Sequence, residues 1–384
     1  MKIAVVYDFS SHNGGGDLVM LSILETLKNA GHQLTLVTSN PNGLTAVNAF
    51  FGKNVDCHNI QFIKLPPFLP HPYTIAYMAK KIKEKSFDGY VFSDDVPKCL
   101  WNKKVICYIH YSHAARLKFT FYLTNKYRER ISGRILCYIH RSIFEIFYPT
   151  VRIPTRNWLL IANSFTTQKH TAQTFSLAPD QIRLVYPPVA STKINTLLKN
   201  EKVEKRNNVV CLGRFEPDKG FDNVIRSLSI LRNKFEVTLI LMGFAYDQAF
   251  LENLRNYIKT LRLENRVILR VNAERNEVID NLLTAKALVH PAKNEPFGLS
   301  VVEAMAAGCV PIVSRGLNGP WNEIIQNGKY GLGYATPVEL ASMIQRVVEK
   351  YDFYNINAIT QRSLDFDEKV FKEKMLKIFQ KFLE

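Results

Sequence analysis

The 384-residue sequence is poor in cysteine: it has six, and no two of them form a Cys-x-x-Cys pair. That argues against a zinc ribbon or a disulfide framework. Cys107, Cys211 and Cys309 stand in or beside apolar runs and are expected as buried thiols. No uncharged run approaches the ~18 residues that a spanning helix needs, so no transmembrane segment is expected. The first apolar run, Met1 to Tyr7, is too short for a secretory leader and reads as a strand. These absences point to a cytoplasmic chain, or to one held peripherally on the cytoplasmic face of a membrane. Acidic residues are also scarce. There are 34 Asp+Glu against 50 Lys+Arg, for a formal net charge of +16. An excess of that size implies an anionic partner, which could be a membrane surface, a nucleic acid or a phosphorylated substrate.

What is present suffices for two cores. The chain is 47% hydrophobic, and its length suggests two domains. The most informative stretch runs from Asn294 to Gly308. The apolar run Ala287-Leu288-Val289-His290 precedes it and Val310-Pro311-Ile312-Val313 follows it, which gives strand, loop, helix and strand, a βαβ unit of a parallel sheet. Glu295 falls in the loop and Glu303 about a turn and a half into the helix. Gly298 has no side chain, so a ligand could approach the backbone there. Free N–H groups at a helix start favour anions and hydroxyl oxygens. Two carboxylates beside such donors suit a hydroxyl-rich ligand such as a nucleotide sugar. The plainer reading, an amphipathic helix with a solvated Glu303, accounts for Val302, Met305 and Ala306 but not for Gly298 or Glu295.

A bare Glu-x7-Glu carries no signal. With Phe297-Gly298-Leu299 inside it and Glu303-Ala304-Met305-Ala306 closing it, the stretch resembles the signature of glycosyltransferase family 4. The resemblance implies a GT-B fold, with two Rossmann-like doubly wound domains facing across a cleft, and a retaining transfer. It also implies that Glu303 binds ribose hydroxyls, that Glu295 binds the hexose, and that Phe297, Gly298 and Leu299 contact the nucleotide sugar. Gly213-Arg214-Phe215-Glu216-Pro217-Asp218-Lys219-Gly220 lies between an expected strand and helix. Two cations in such a loop can clamp a diphosphate, Arg through forked donors and Lys as a point charge. The pattern is similar to the family's Gly-Arg…Lys-Gly motif. Gly316-Leu317-Asn318-Gly319-Pro320 follows the strand ending at Val313, with Asn318-Gly319 where most members have two adjacent glycines. This segment and Tyr186-Pro187-Pro188 are most similar to mannosyltransferases that extend lipid-linked oligosaccharides with α-1,2-mannose, although His110-Tyr111-Ser112 breaks their His-Tyr-Pro pattern.

In the first half, Lys2 to Tyr7 reads as a strand, and Asp8 to Gly16 as a loop ending in Gly14-Gly15-Gly16. Asp17 is a candidate cap for a helix stopped by Gly31. The loop is not Gly-x-Gly-x-x-Gly, but the first β-to-α loop is the usual place for a diphosphate. The resemblance places Gly15 and Gly16 there. Ser93-Asp94-Asp95 lacks the Asp-x-Asp spacing of a metal site and reads as a capping turn. His110 closes the strand Val105–Ile109, where α/β sheets place ligand contacts, and by resemblance it faces the donor sugar.

Between Arg116 and Arg156, nine basic residues stand against Glu129 and Glu145, interleaved with aromatics such as Phe119, Tyr127 and Phe147. That composition suits an anionic membrane interface, with helical packing as the alternative and nucleic acid the least favoured partner.

The sequence therefore predicts a first domain over 1–192, a linker over 193–207 and a nucleotide-sugar-binding domain over 208–384, whose last helix, 367–383, crosses back to the first. The expected function is a hexosyltransferase moving mannose or glucose from a GDP- or UDP-hexose to a glycan or polyprenyl-phosphate-linked acceptor, with Arg214, Lys219, Glu295 and His110 as its catalytic set. Neither a metal nor a cofactor beyond the donor is expected. Two other readings remain open. A sugar-nucleotide epimerase would need carboxylates in the first domain, and a basic lipid- or nucleic-acid-binding module would leave the Glu295/Glu303 loop unexplained.

Overall fold

The apolar runs of the sequence become strands buried on both faces, as strands covered by helices on either side must be. In a computed structural model, every residue is described except 10–13, 68, 70, 111–141, 149–155, 201–202, 232–234, 246, 317 and 384. Among the described residues the first sheet holds β1 (Lys2–Val6), β2 (Gln33–Thr38), β3 (Asn59–Phe62), β4 (Gly89–Ser93), β5 (Val105–Ile109), β6 (Trp158–Ala162) and β7 (Ile182–Leu184), in the order β3-β2-β1-β4-β5-β6-β7. Every pairing is parallel, with Ile3 facing both Leu34 and Gly89. The second sheet holds β8 (Arg206–Leu212), β9 (Thr238–Gly243), β10 (Val267–Val271), β11 (Ala285–His290), β12 (Val310–Ser314) and β13 (Leu332–Tyr334), ordered β10-β9-β8-β11-β12-β13 and again parallel.

The chain divides into two compact units, Met1–Tyr186 with Phe371–Glu384, and Pro187–Val370. The last helix, Glu368–Leu383, spaces Phe371, Met375, Phe379 and Leu383 at i, i+4, i+8 and i+12, a single face that is buried in the first unit's core beside Tyr108, Ile106 and Val5. Lys104 Nζ donates to the carbonyl of Leu383 at 3.1 Å.

Two expectations about local structure are corrected. The lysine-rich stretch read as a linker over 193–207 holds a helix, Ser191–Asn200, and the start of β8. Its polar composition hides Ile194 and Leu198 on one face: Ile194 is buried, and Leu198 packs on Gly308. The helix Gly15–Asn29 is capped by Gly14 rather than by Asp17. Asp17 sits one turn in and reaches back, accepting the Gly14 N–H at 2.8 Å and the Tyr7 hydroxyl at 3.1 Å. Cys107, Cys211 and Cys309 are buried free thiols.

Most of the basic, aromatic segment from Arg116 to Arg156 lies outside the described residues. Of the part described, Phe144 and Tyr148 are stacked at 4.6 Å and buried in the first unit's core, while Ile143, Ile146 and Phe147 are exposed. Among the described residues no helix is long and apolar enough to cross a membrane.

Candidate functional site

Each sheet has a point where strand order reverses. In the first it lies between β1 and β4, in the second between β8 and β11. Loops leaving the carboxyl ends of two such strands diverge and open a crevice. In the second unit these loops carry Arg214 and Lys219, after β8, and Glu295, after β11.

Lys219 ends a tight turn, Pro217–Lys219, and Gly220 then starts the helix Phe221–Ile230. Lys219 Nζ lies 2.9 Å from Glu295 Oε2, with both side chains about four-fifths buried. Burial pushes the Glu295 carboxyl up, but Lys219, His290 and Arg214 together outweigh it and hold the group below the usual carboxylate range. Arg214 is half-exposed and pairs with Glu216 at 3.2 Å. Both cations expected to clamp a diphosphate are thus already engaged by carboxylates, and an incoming anion must share or displace those pairs.

Glu295 is held from behind. Its carbonyl accepts the Gly319 N–H at 3.0 Å. A side chain at Gly319 would lie 2.1 Å from the Pro296 carbonyl oxygen, so only glycine allows that approach. Asn318, where a second glycine was expected, is buried and ties the loop together. Its amide donates to Ser314 and accepts from the Trp321 N–H. Gly298 has φ +96°, and a Cβ there would meet Pro320 Cγ at 2.8 Å. The space left by its missing side chain is therefore taken up by Pro320, rather than left open for a ligand. The ring of Phe297 is buried against Phe366, 5.5 Å between centroids, so its backbone is what is left to meet a ligand. Leu299 opens the helix Leu299–Ala306, whose first N–H groups have no partner within the helix.

One turn into that helix, Glu303 Oε1 meets Arg275 at 2.5 Å. Arg275 begins the helix Arg275–Thr284. Burial works against the guanidinium's charge, but Glu303 more than restores it and raises the pKa. Among the described residues no other hydrogen bond reaches the Glu303 carboxylate. Sequence reasoning missed Arg275, since the pairing bridges 28 residues. It also missed His290, the last residue of β11, although the strand-end rule applied to His110 would have found it.

Among the described residues, the first unit's crevice brings a tyrosine and a histidine to a helix start, with the carboxylates of Asp17 and Asp94 bonded to the protein itself. Gly15 and Gly16 open the helix Gly15–Asn29. Gly16 faces the Tyr7 hydroxyl and His110 Nε2; a Cβ there would lie 3.4 and 3.6 Å from them. The His110 N–H donates to Asp94 Oδ1 at 2.9 Å, and the Thr167 hydroxyl donates to the His110 carbonyl at 3.1 Å. Asp94, with φ +67°, thus holds the backbone of His110 in place. This bond to the neighbouring strand's end draws one of the two carboxylates an epimerase would need into structural work.

Two doubly wound units with ligand loops at their switch points define the GT-B class of fold, and solved structures agree. HepE from Anabaena, in complex with UDP and glucose, superposes with a TM-score of 0.71 at 19% identity, over 99% of this chain and 100% of that one. WaaG, a glycosyltransferase involved in lipopolysaccharide biosynthesis, gives 0.68 at 17% identity, over 98% and 99%. Residues 13–193 match the model of Glycosyltransferase Family 4, and residues 193–356 that of Glycosyl transferases group 1. The chain belongs to the glycosyltransferases that these two models describe. Among curated relatives, the GDP-Man:Man(3)GlcNAc(2)-PP-Dol alpha-1,2-mannosyltransferase of Dictyostelium discoideum is 27% identical over 68% of this chain and 56% of its own length. The Homo sapiens protein of the same name is 28% identical over 44% and 36%. The chain spans about half the length, or less, of these curated relatives.

Proposed function

We propose that the protein transfers a hexose, with retention, from a nucleoside diphosphate sugar to a hydroxyl of a glycan or of a polyprenyl-phosphate-linked glycan. The observation that carries this reading is the Lys219–Glu295 pair at the β8/β11 switch point, with Arg214 in the same loop and the Arg275–Glu303 pair one helix turn away. Glu303 Oε2 takes the ribose hydroxyls and Glu295 the hexose hydroxyls. Lys219 and Arg214 face the diphosphate. When the bond from the sugar's anomeric carbon to the phosphate oxygen breaks, negative charge grows on that oxygen. Fixed cations then stabilise the transition state more than the ground state. Because side chains and a helix start meet that charge, we assign no divalent cation to the step. No side-chain base is assigned either; the departing phosphate oxygen takes the acceptor's proton. In the first unit, His110 and the helix start at Gly15 and Gly16 are assigned to ligand contact.

The names of the curated relatives favour GDP-mannose as donor and a lipid-linked glycan as acceptor. The excess of basic residues between Arg116 and Arg156 favours contact with an anionic membrane on its cytoplasmic side. The deciding experiment is a panel of sugar nucleotides, scored by hydrolysis and by protection against thermal unfolding. One donor, GDP-mannose first, should stand out. A flat response across GDP- and UDP-hexoses would overturn the reading. Pelleting with anionic but not neutral vesicles would support the membrane-linked acceptor, and indifference to lipid would favour a soluble one.

A further inference from the structure

Among the described residues, two basic groups lie within 4 Å of Glu295 Oε2. Lys219 Nζ is at 2.9 Å and His290 Nε2 at 3.9 Å. The first is a hydrogen bond and the second is just beyond one. The His290 side chain is only 6% exposed, and among the described residues its Nε2 has no hydrogen-bond partner. A buried ring nitrogen with nothing to bond is uncommon in a native fold and calls for an explanation. Here the unsatisfied atom faces a buried carboxylate whose present partner, Lys219, is also assigned to the diphosphate.

We propose that His290 is a positioning residue for Glu295: its unpaired ring nitrogen takes up the carboxylate when Lys219 turns to the diphosphate. This rests on the reading of the crevice as a nucleotide-sugar site. A carboxylate as buried as Glu295 cannot lose its cation without another donor, because an uncompensated buried charge is strongly destabilising. A rotation within the Glu295 side chain closes the gap to His290, whereas the ring itself is packed in place at the end of β11. Its other nitrogen, Nδ1, lies 3.4 Å from the Ser300 hydroxyl in the first turn of the next helix. If that hydroxyl donates to Nδ1, the ring hydrogen sits on Nε2 and faces Glu295. Burial, aided by Lys219, holds the ring neutral down to about 4. His290 therefore supplies a donor without placing a second positive charge beside Lys219. The carboxylate is then kept in place to accept hexose hydroxyls while the lysine attends to the phosphates.

A double-mutant cycle tests this, with calorimetric affinities for GDP, UDP, GDP-mannose and UDP-glucose. His290→Leu removes the donor, His290→Gln keeps an N–H near the position of Nε2, and Glu295→Gln removes the charge it serves. His290→Leu and Glu295→Gln should each weaken sugar-nucleotide binding about tenfold. Combined, they should cost about the same tenfold rather than a hundredfold, since contacts that act through one another are not additive. His290→Gln should recover most of the loss. Additive losses, or a Gln variant as weak as the Leu variant, would mean that His290 only fills space, and would overturn the proposal. Should the Leu variant fail to fold, Ser300→Ala provides the same cycle with Glu295→Gln: a smaller loss, again not additive, supports the proposal, and additivity overturns it. A wild type that binds none of the four probes would overturn the site reading itself, and this inference with it.

Discussion

The two switch-point crevices share one construction and differ in charge. The second unit gathers Lys219, Arg214 and Arg275 around Glu295, Glu216 and Glu303, so every charge already has an opposite neighbour. The first brings a tyrosine, a histidine and two glycines to a helix start, with its carboxylates turned inward to Gly14, Tyr7 and the backbone of His110. The same parallel-sheet geometry thus makes one crevice lined by paired charges and another whose described carboxylates are bonded to its own backbone and tyrosine. A charged site must be neutralised even when empty, and the Lys219–Glu295 and Arg275–Glu303 pairs do that. Such a site is preorganised, but its ligand has to exchange partners with the protein.

The comparison can be broken most directly at the cations. Arg214→Ala combined with Lys219→Ala should lower turnover of the folded variant at least about a hundredfold, the scale of losing a transition-state donor, and should also lower the melting temperature, because Glu295 loses its buried partner. Turnover close to that of the wild type would remove the diphosphate from the second crevice. A smaller effect is expected at Glu303. Alanine there would strip Arg275 of its partner, so Glu303→Gln is the cleaner change. A charged hydrogen bond is worth about 1.5–3 kcal/mol and Gln keeps part of it, so donor affinity should fall roughly tenfold by calorimetry. Unchanged affinity in the folded variant would take the ribose away from Glu303.

Acid should separate the two units more gently. The buried ring of His290 titrates near 4, against about 6.5 in an unfolded chain. Between these values the unfolded chain binds a proton that the folded one refuses, so stability falls as pH drops from about 6.5 and levels off below about 4. Glu295, held below its unfolded value, adds a loss as pH falls through the carboxylate range. The sum for His290 is on the order of 3 kcal/mol at full extent. Calorimetric melts should show the second unit giving way earlier as pH falls, and His290→Gln should flatten the part of the curve above pH 5. The smallest expected effect is none. EDTA should leave activity in place, and a loss reversed by magnesium would introduce a cation that the Lys219–Arg214 assignment leaves out.

Local signals carried much of this. The placement of Glu295 in a loop and of Glu303 in the helix behind it was legible because a strand, a loop and a helix start impose spacing over a few residues. The strands were legible because parallel sheets need apolar runs. What escaped has a physical pattern. The pairs Arg275–Glu303 and Lys219–Glu295 join residues 28 and 76 apart, and no spacing rule reaches that far. Phe297 lies inside the signature, yet its ring turns to Phe366, because a motif fixes backbone placement and leaves each side chain to the nearest free volume. The helix Ser191–Asn200 was hidden by its lysines, since one buried apolar residue, Ile194, with half-buried Leu198 beside it suffices to dock a helix whose other faces are polar. Asp17 was assigned to the wrong end of its helix turn, because a carboxylate can reach back to a cap as readily as serve as one.

The terminal helix has a consequence for how the chain is made. Phe371, Met375, Phe379 and Leu383 belong to the core that includes β1, β4 and β5, so that core is incomplete until these four residues have been synthesised. Lys104 and Leu383 meet across 279 residues. Chains usually fold from the amino terminus as they emerge, at about 5–20 residues per second. Here the second unit, continuous from Pro187 to Val370, can close on the ribosome, while the first waits with an open apolar face. The first unit can therefore complete its core only after all of the second has been synthesised, which leaves its apolar face open for that interval.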